Sequence, residues 1–438
     1  MATLAEVKVE ARRLDQKGEP LRALRLYDAA LAAAPQDLDA RIKVGDYLDA
    51  LGNRAEAIEV YRAAARFAIR AGHPLAAVVA VRLVEAAGSK ADDLLDELVA
   101  TYAAGSPQIA EIAARVSPPS PRTIITTPDL LSPAPASFAE DAARRAVRCT
   151  DSWATYPEAV HAINFLSELS PDSFRRVLGA LLVKRLPDGA PVIREGDEGA
   201  SFFLVGRGEV RVTRSTGNGT AVELSRLREG ALFGEMALLG AQPRSASVWV
   251  VDEADLLEVS REALAGIAGE LAQVAKTLDR FMRTRLLRNL VATSPIFRPF
   301  ARAQKLDLLR RFTAHEVAAG ASIVQQGEAG RGLFVMWTGE ATVSMQHDDG
   351  SVSQLATLRA GELFGQVATT RGKPAMASVV ATKPSTVLFL ARDYFQRLVA
   401  AFPEIETYFE RLSDDRAMST RLKVADNEIV EADVEVPL

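Results

Sequence analysis

Residues 189–261 recur as residues 320–392 at a constant offset of 131, with no gap. Gly196 pairs with Gly327, Gly199 with Gly330, Phe203 with Phe334, and Gly208-Glu209 with Gly339-Glu340. Further on, Gly230 pairs with Gly361, Phe233-Gly234 with Phe364-Gly365, and Pro243 with Pro374. Chance does not hold glycines at a fixed offset over so long a stretch, so the chain carries two copies of one fold. Each copy reads as short, turn-bounded strands, for example FFLV at 202–205 and VRV at 210–212. Gly217-Asn218-Gly219 in the first copy and Asp348-Asp349-Gly350 in the second are hairpin-turn chemistry. The expectation is a pair of jelly-roll β-barrels with flanking helices. A helical run at 261–290 follows the first and a shorter one at 392–412 the second.

Ahead of the duplication the pattern is helical. Leu14, Leu21, Leu24, Tyr27 and Leu31 recur at spacings of three, four and seven. Ala23, Tyr27 and Ala30 are matched 34 residues later by Ala57, Tyr61 and Ala64. A period of 34 is that of tetratricopeptide repeats, and residues 1–116 resemble such a protein over two repeats. Small alanines let paired helices approach and tyrosines fill the groove between them. Residues 73–87 are helical but out of register with the repeat. The stretch 117–137 reads SPPSPRTIITTPDLLSPAPAS, which suits neither a helix nor a central strand. The expected organisation is a tetratricopeptide-like helical domain (1–116) and a flexible Pro/Ser-rich linker (117–155). Barrels at 156–291 and 292–425 follow, and then an acidic tail (426–438). The linker's Arg144-Arg145-Ala146-Val147 reads as an amphipathic helix with solvated arginines.

The most informative stretch is FGEMALLGAQPRSASV, residues 233–248. Phe233-Gly234-Glu235 ends a strand and opens a short helical turn whose free N–H groups can face an anion. Glycine there permits close approach of a ligand. Nine residues after Glu235 comes Arg244, whose guanidinium can bind two phosphate oxygens together. A carboxylate and an arginine beside a helix start suit a ligand that carries hydroxyls and one negative phosphate.

At these residues the chain resembles the cyclic-nucleotide-binding domain family, which includes regulatory subunits of protein kinase A and bacterial catabolite activators. The resemblance implies that Glu235 holds the ribose 2′-hydroxyl and Arg244 the cyclic phosphate. It also implies help from Phe233, Gly234, Met236 and Ala237 through the backbone of the turn and from the Ser245 hydroxyl. The implied ligand is cAMP, with cGMP second; no cofactor or metal is implied. In the family a helix such as 261–290 folds toward the bound base, and Phe281, Met282 and Leu286 would cover a purine here.

The second copy departs from the pattern: Gln366 stands for Glu235 and Ala375 for Arg244. Gln366 retains a hydrogen bond for a hydroxyl. Ala375 leaves no cation for phosphate, and a phosphate brought into a partly buried pocket without one is costly. Arg371 and Lys373 lie nearby but read as exposed loop charges. The second copy is therefore expected to be structural or partner-binding.

Other classes are disfavoured. The four histidines (His73, His161, His315, His347) show no metal spacing, and the single Cys149 has no internal partner. Net charge is -5 with an acidic C-terminal stretch, which argues against nucleic acid. No apolar run is long enough for a bilayer, and no P-loop, Gly-x-Ser-x-Gly elbow or kinase signature is present. The expectation is a non-enzymatic, cytoplasmic cAMP-binding adaptor that reaches a protein partner through its helical repeats. The rivals are a ligand-free scaffold, a regulatory subunit of an enzyme and a cyclic dinucleotide sensor.

Overall fold

A computed structural model describes residues 1–151, 155–163, 165–215, 221–234, 244, 246–270, 276–277, 280–281, 301–365 and 374–401. They fall into two compact units, one within 1–278 and one within 279–438.

The first unit begins with a helical array. Helix α1 (Leu4–Gln16) starts at a capping box: Thr3 Oγ1 accepts from the Glu6 N–H, and Glu6 accepts from the Thr3 N–H. Its buried stripe is Leu4, Val7, Ala11 and Leu14. Proline opens α2 (Pro20–Ala33), and Asp37 caps α3 (Leu38–Ala50) by accepting from the Ala40 N–H at 3.0 Å. Helix α4 (Arg54–Ala71) stops at Gly72, whose φ is 85°. Successive helices pack on one another. The repeat residues Ala23, Tyr27 and Ala30 of α2, and Ala57, Tyr61 and Ala64 of α4, are all buried. A Cβ at Gly45 would lie 2.4 Å from the Tyr61 ring, so α3 and α4 approach at a contact only glycine allows.

Helix α5 (Pro74–Ala86) is buried on nearly all sides because it packs on α4 and also on the barrel that follows. That double contact accounts for its departure from the repeat pattern. Helix α6 (Asp92–Tyr102) ties back through Tyr102, whose hydroxyl donates to the Ile69 carbonyl at 2.8 Å.

Within 117–155, expected to be a flexible linker, residues 124–148 make specific contacts with the array. Strand β1 (Ala2–Thr3) pairs antiparallel with β2 (Ile124–Ile125), with Ile125 fully buried. Arg25 donates to the carbonyls of Asp129 and Ser132 at 2.6 and 2.8 Å. Helix α7 (Phe138–Arg148) lays Ala142, Ala143 and Ala146 on α2, α3 and α4. Proline does prevent a continuous element here, but contacts with distant residues order what local sequence cannot. The expected amphipathic helix is thus present; Arg144 is exposed, whereas Arg145 forms a two-toothed ion pair with Asp28 at 2.8 and 2.6 Å.

The first barrel follows helix α8 (Pro171–Gly179). Its strands are β3 (Leu182–Leu186), β4 (Pro191–Ile193), β5 (Ser201–Ser215), β6 (Ala221–Arg228), β7 (Leu232–Phe233) and β8 (Ser247–Ser260). The order is β3-β8-β5-β6, all antiparallel, with β4 on β8 and β7 on β5. Phe203, Val205, Val210, Phe233, Val248, Val250 and Leu256 fill the interior. The β5–β8 register breaks before Arg207 and again after Gly208. At Gly208 (φ 87°) a Cβ would meet the Glu253 carbonyl at 2.1 Å, so this irregularity requires glycine. Helix α9 (Arg261–Glu270) leaves the end of β8.

The second unit repeats the jelly roll, as the duplication implied. Helix α10 (Arg302–Arg311) precedes β9 (Thr313–Val317), β10 (Ser322–Val324), β11 (Gly332–Thr338), β12 (Glu340–Gln346) and β13 (Val352–Arg359). Then come β14 (Leu363–Phe364), β15 (Ser378–Ala381), β16 (Ser385–Ala391) and helix α11 (Arg392–Ala401). Here the long strands are divided, giving sheets ordered β10-β15-β12-β13 and β14-β11-β16-β9. Asp348-Asp349-Gly350 forms the expected turn between β12 and β13, with the Gly350 N–H on the His347 carbonyl at 3.0 Å. Its counterpart Gly217-Asn218-Gly219, the residues Met282 and Leu286 expected to cover a purine, and the acidic tail lie outside the described residues.

Candidate functional site

Strand β7 delivers Phe233 and Gly234 to the mouth of a cradle in the first barrel. Phe233 stacks on Phe203 with ring centroids 5.3 Å apart, and Gly234 turns away with φ 79°. Arg244 enters from the other side. Its N–H donates to the Asp197 carbonyl at 2.8 Å, and its carbonyl accepts from the Gly196 N–H at 2.9 Å. Its guanidinium then donates to two backbone carbonyls, Gly234 at 2.7 Å and Ser201 at 2.8 Å. These bonds orient a planar fork that recognises carboxylate or phosphate through paired oxygens. The guanidinium lies so close over Gly199 that a Cβ there would sit 2.1 Å from Nε. At the start of α9 the Arg261 N–H donates to the Ala200 carbonyl at 2.6 Å. The helix after the barrel is thereby bonded to the loop that flanks Arg244.

Of the residues singled out in the sequence, Phe233, Gly234 and Arg244 meet in this cradle. Glu235, Met236, Ala237 and Ser245 lie outside the described residues. Sequence reasoning assigned no role to Gly199, the Ser201 carbonyl or the 196–197 loop. The signal was present, since Gly196 and Gly199 recur as Gly327 and Gly330, but a glycine does not announce what passes over it.

The second barrel keeps the frame without the arginine. The Ala375 N–H donates to the Glu328 carbonyl, and the Ala375 carbonyl accepts from the Gly327 N–H, both at 2.8 Å. Phe334 stacks on Phe364 at 5.2 Å, and Gly365 has φ 83°. A cavity of about 10 Å³, room for roughly one water, remains beside Gly330, Gly332, Phe334 and Gly365. Arg331 borders it, with its Nη2 on the Ile323 carbonyl at 2.5 Å. Gln366, Arg371 and Lys373 lie outside the described residues.

The first barrel also meets the helical array through charge. The strand irregularity turns Arg207 toward α3, where it pairs with Asp39, while its Nε donates to Asp255 at 2.7 Å. Arg185 of β3 joins Asp255 at 3.0 Å to both oxygens of Asp46 at 2.7 Å. Lys43 pairs with Glu253, and Lys8 with Asp37 and Asp39 at 2.8 Å. Arg207 is 8% exposed and Asp255 1%. Burial alone pushes the Asp255 carboxyl up; Arg207 and Arg185 outweigh it and hold it below the usual carboxylate range. Composition predicted none of this contact. Among the described residues no group of side chains is arranged to hold a metal, and no helix is long and apolar enough to cross a membrane.

Comparison with known proteins identifies what the two barrels are similar to. The family described as cyclic nucleotide-binding domain matches residues 183–270 and again 314–402. The cAMP-dependent protein kinase regulatory subunit of Yarrowia lipolytica is 29% identical over 66% of this chain and 73% of its own length. That of Aspergillus fumigatus is 31% identical over 55% of this chain and 58% of its own, so the chain spans under two thirds of that relative. The solved regulatory domain of Toxoplasma gondii PKA with cAMP aligns at 25% identity over 57% of this chain and 92% of that one. The TM-score of that alignment is 0.28. Residues 183–270 and 314–402 are thus two cyclic nucleotide-binding domains in tandem, related to those of protein kinase A regulatory subunits.

Proposed function

We propose that the first barrel binds a cyclic nucleotide, cAMP before cGMP, and that occupancy regulates protein contacts made by the helical array. The observation that carries this reading is the Arg244 guanidinium, oriented by the Gly234 and Ser201 carbonyls inside the first segment that matches the cyclic nucleotide-binding family. Arg244 takes the phosphate and Glu235 the ribose hydroxyl. The N–H groups of the turn through Met236 and Ala237, with Ser245, complete the anion's shell. The output on this reading is protein contact rather than chemistry. The intimate charge contact between array and barrel supports coupling, because a shift at the cradle acts on a barrel to which the array is already bonded. The setting is cytoplasmic. A second reading, a regulatory subunit whose partner is a kinase catalytic chain, is favoured by the curated relatives' names.

Calorimetry of the full chain with cAMP, cGMP and cyclic di-GMP tests the ligand, and a pull-down with and without cAMP tests the partner. The expected stoichiometry for cAMP at micromolar concentration is one per chain, since Ala375 supplies no cation. Two sites would show that the second cradle works with another basic group. Glu235→Ala is expected to weaken cAMP binding by about 1–3 kcal/mol through loss of a charged hydrogen bond. Unchanged affinity would remove Glu235 from the site.

A further inference from the structure

His73, at the start of α5, points out of the helical array and is 7% exposed. Its Nδ1 lies 2.8 and 3.0 Å from the two carboxylate oxygens of Glu229. Its Nε2 lies 2.8 Å from the Val116 carbonyl. Neither partner can donate a proton: one is a carboxylate, the other a backbone carbonyl. A neutral imidazole has one N–H, so one ring nitrogen would face an oxygen lone pair to lone pair. Only the imidazolium satisfies both contacts.

Glu229 sits in the turn between β6 and β7. The turn is tight: the Gly230 N–H donates to the Val205 carbonyl at 3.0 Å, and the Val205 N–H to the Ala231 carbonyl at 2.9 Å. Strand β7 follows at once, and the next residue, Gly234, offers the carbonyl that orients Arg244. A short, fully bonded run of backbone thus links the Glu229 carboxylate to the cradle.

We propose that His73 is a positioning residue of the first barrel's nucleotide site, acting from the helical array through Glu229, and that its proton makes nucleotide affinity depend on pH. This rests on the reading of the first barrel as a cyclic-nucleotide site. Other titratable groups act at the contact. Arg115, on the segment carrying Val116, opposes the imidazolium, and Tyr102 of α6 lies within the field of Glu229. Burial by itself pushes the imidazole pKa down. The Glu229 hydrogen bond and charge, with the Val116 carbonyl, reverse this and leave it above the ordinary histidine value. The clamp is therefore complete at pH values below about 6.5, the unfolded histidine value. It is lost as pH rises through the higher folded value. The cyclic phosphodiester keeps its charge across that interval, so the ligand adds no titration of its own.

The test is cAMP affinity of the full chain between pH 6 and 8.5, in wild type, His73→Gln and Glu229→Gln. Wild-type affinity is expected to fall roughly fivefold or more as pH rises, the lower range for coupled sites. His73→Gln should bind at the level of high-pH wild type and show no such slope. Glu229→Gln keeps the shape but removes the charge that favours the imidazolium, so its midpoint should move to lower pH. Calorimetry in two buffers of different ionisation enthalpy should show proton uptake on binding by wild type and none by His73→Gln. The exposed His161 serves as control, and His161→Gln should titrate as wild type. Equal pH slopes in wild type and His73→Gln would overturn the proposal and leave the nucleotide site standing. Equal loss of affinity by His73→Gln at every pH would reduce His73 to a packing role and overturn it too. Absence of wild-type binding at every pH would overturn the site itself.

Discussion

Arg244→Leu is expected to weaken cAMP binding by about 2–5 kcal/mol, the cost of leaving the ligand's charge unpaired when its half-buried cation is truncated. That is roughly 30-fold to several thousand-fold in affinity. The geometry supports the upper part of this range. The guanidinium is oriented by the Gly234 and Ser201 carbonyls, and its backbone is bonded on both sides to the 196–197 loop. Leucine keeps the backbone bonds and removes the fork. Arg244→Lys should fall between the two, because an ammonium supplies charge without the planar pair of donors. Isothermal titration with melting curves at matched pH separates lost binding from lost folding. Wild-type affinity in Arg244→Leu with an unchanged melting curve would sink the site assignment.

The second large effect lies at the contact between helical array and first barrel. Arg207→Ala is expected to destabilise the first unit by about 3–5 kcal/mol, because it strands a buried carboxylate. The stranded group is Asp255, only 1% exposed. Its other partner, Arg185, is shared with Asp46 and cannot fully replace Arg207. Replacing both members by apolar residues, Arg207→Met with Asp255→Leu, should cost less than the single change, since the Asp255 carboxylate is then not stranded and Asp39 and Arg185 keep Lys8 and Asp46. Denaturant unfolding of the full chain followed by intrinsic fluorescence reads both. The pH dependence has a definite sign. The Asp255 pKa is lowered in the folded chain, so its contribution is present above the unfolded aspartate value of about 3.9. It is lost as pH falls through the folded value. Arg207→Ala should therefore unfold with a smaller acid dependence than wild type. Equal midpoints for wild type and Arg207→Ala would show that the charge network does not hold the array to the barrel.

Much of this protein was legible before any coordinate. The constant offset of 131 required two copies of one β fold, and the glycine positions placed their turns. Gly234 and Gly365, paired by the offset, both adopt left-handed backbone, and Phe203–Phe233 and Phe334–Phe364 stack alike. Arg244 against Ala375 was read as a difference between the copies from residue identity alone. The alanines and tyrosines of α2 and α4 were read as buried from their spacing. In each case the information lies in neighbouring residues: a period, a turn or a motif a few positions long.

What only the tertiary structure decided are pairings between residues far apart in the chain. Arg207 and Asp39 are separated by 168 positions, and His73 and Glu229 by 156. No local period marks such pairs, and a lone arginine or histidine looks the same whether solvated or buried. The same reason explains residues 124–148. Their prolines forbid a long element, which composition shows. Whether Ile125 and the alanines of α7 find an apolar surface depends on helices that begin a hundred residues earlier. A guanidinium passing over Gly199 likewise needs the 196–201 loop and Arg244 brought together from 45 positions apart. Local sequence sets which backbone shapes are permitted, and the packing of distant surfaces selects which charges meet.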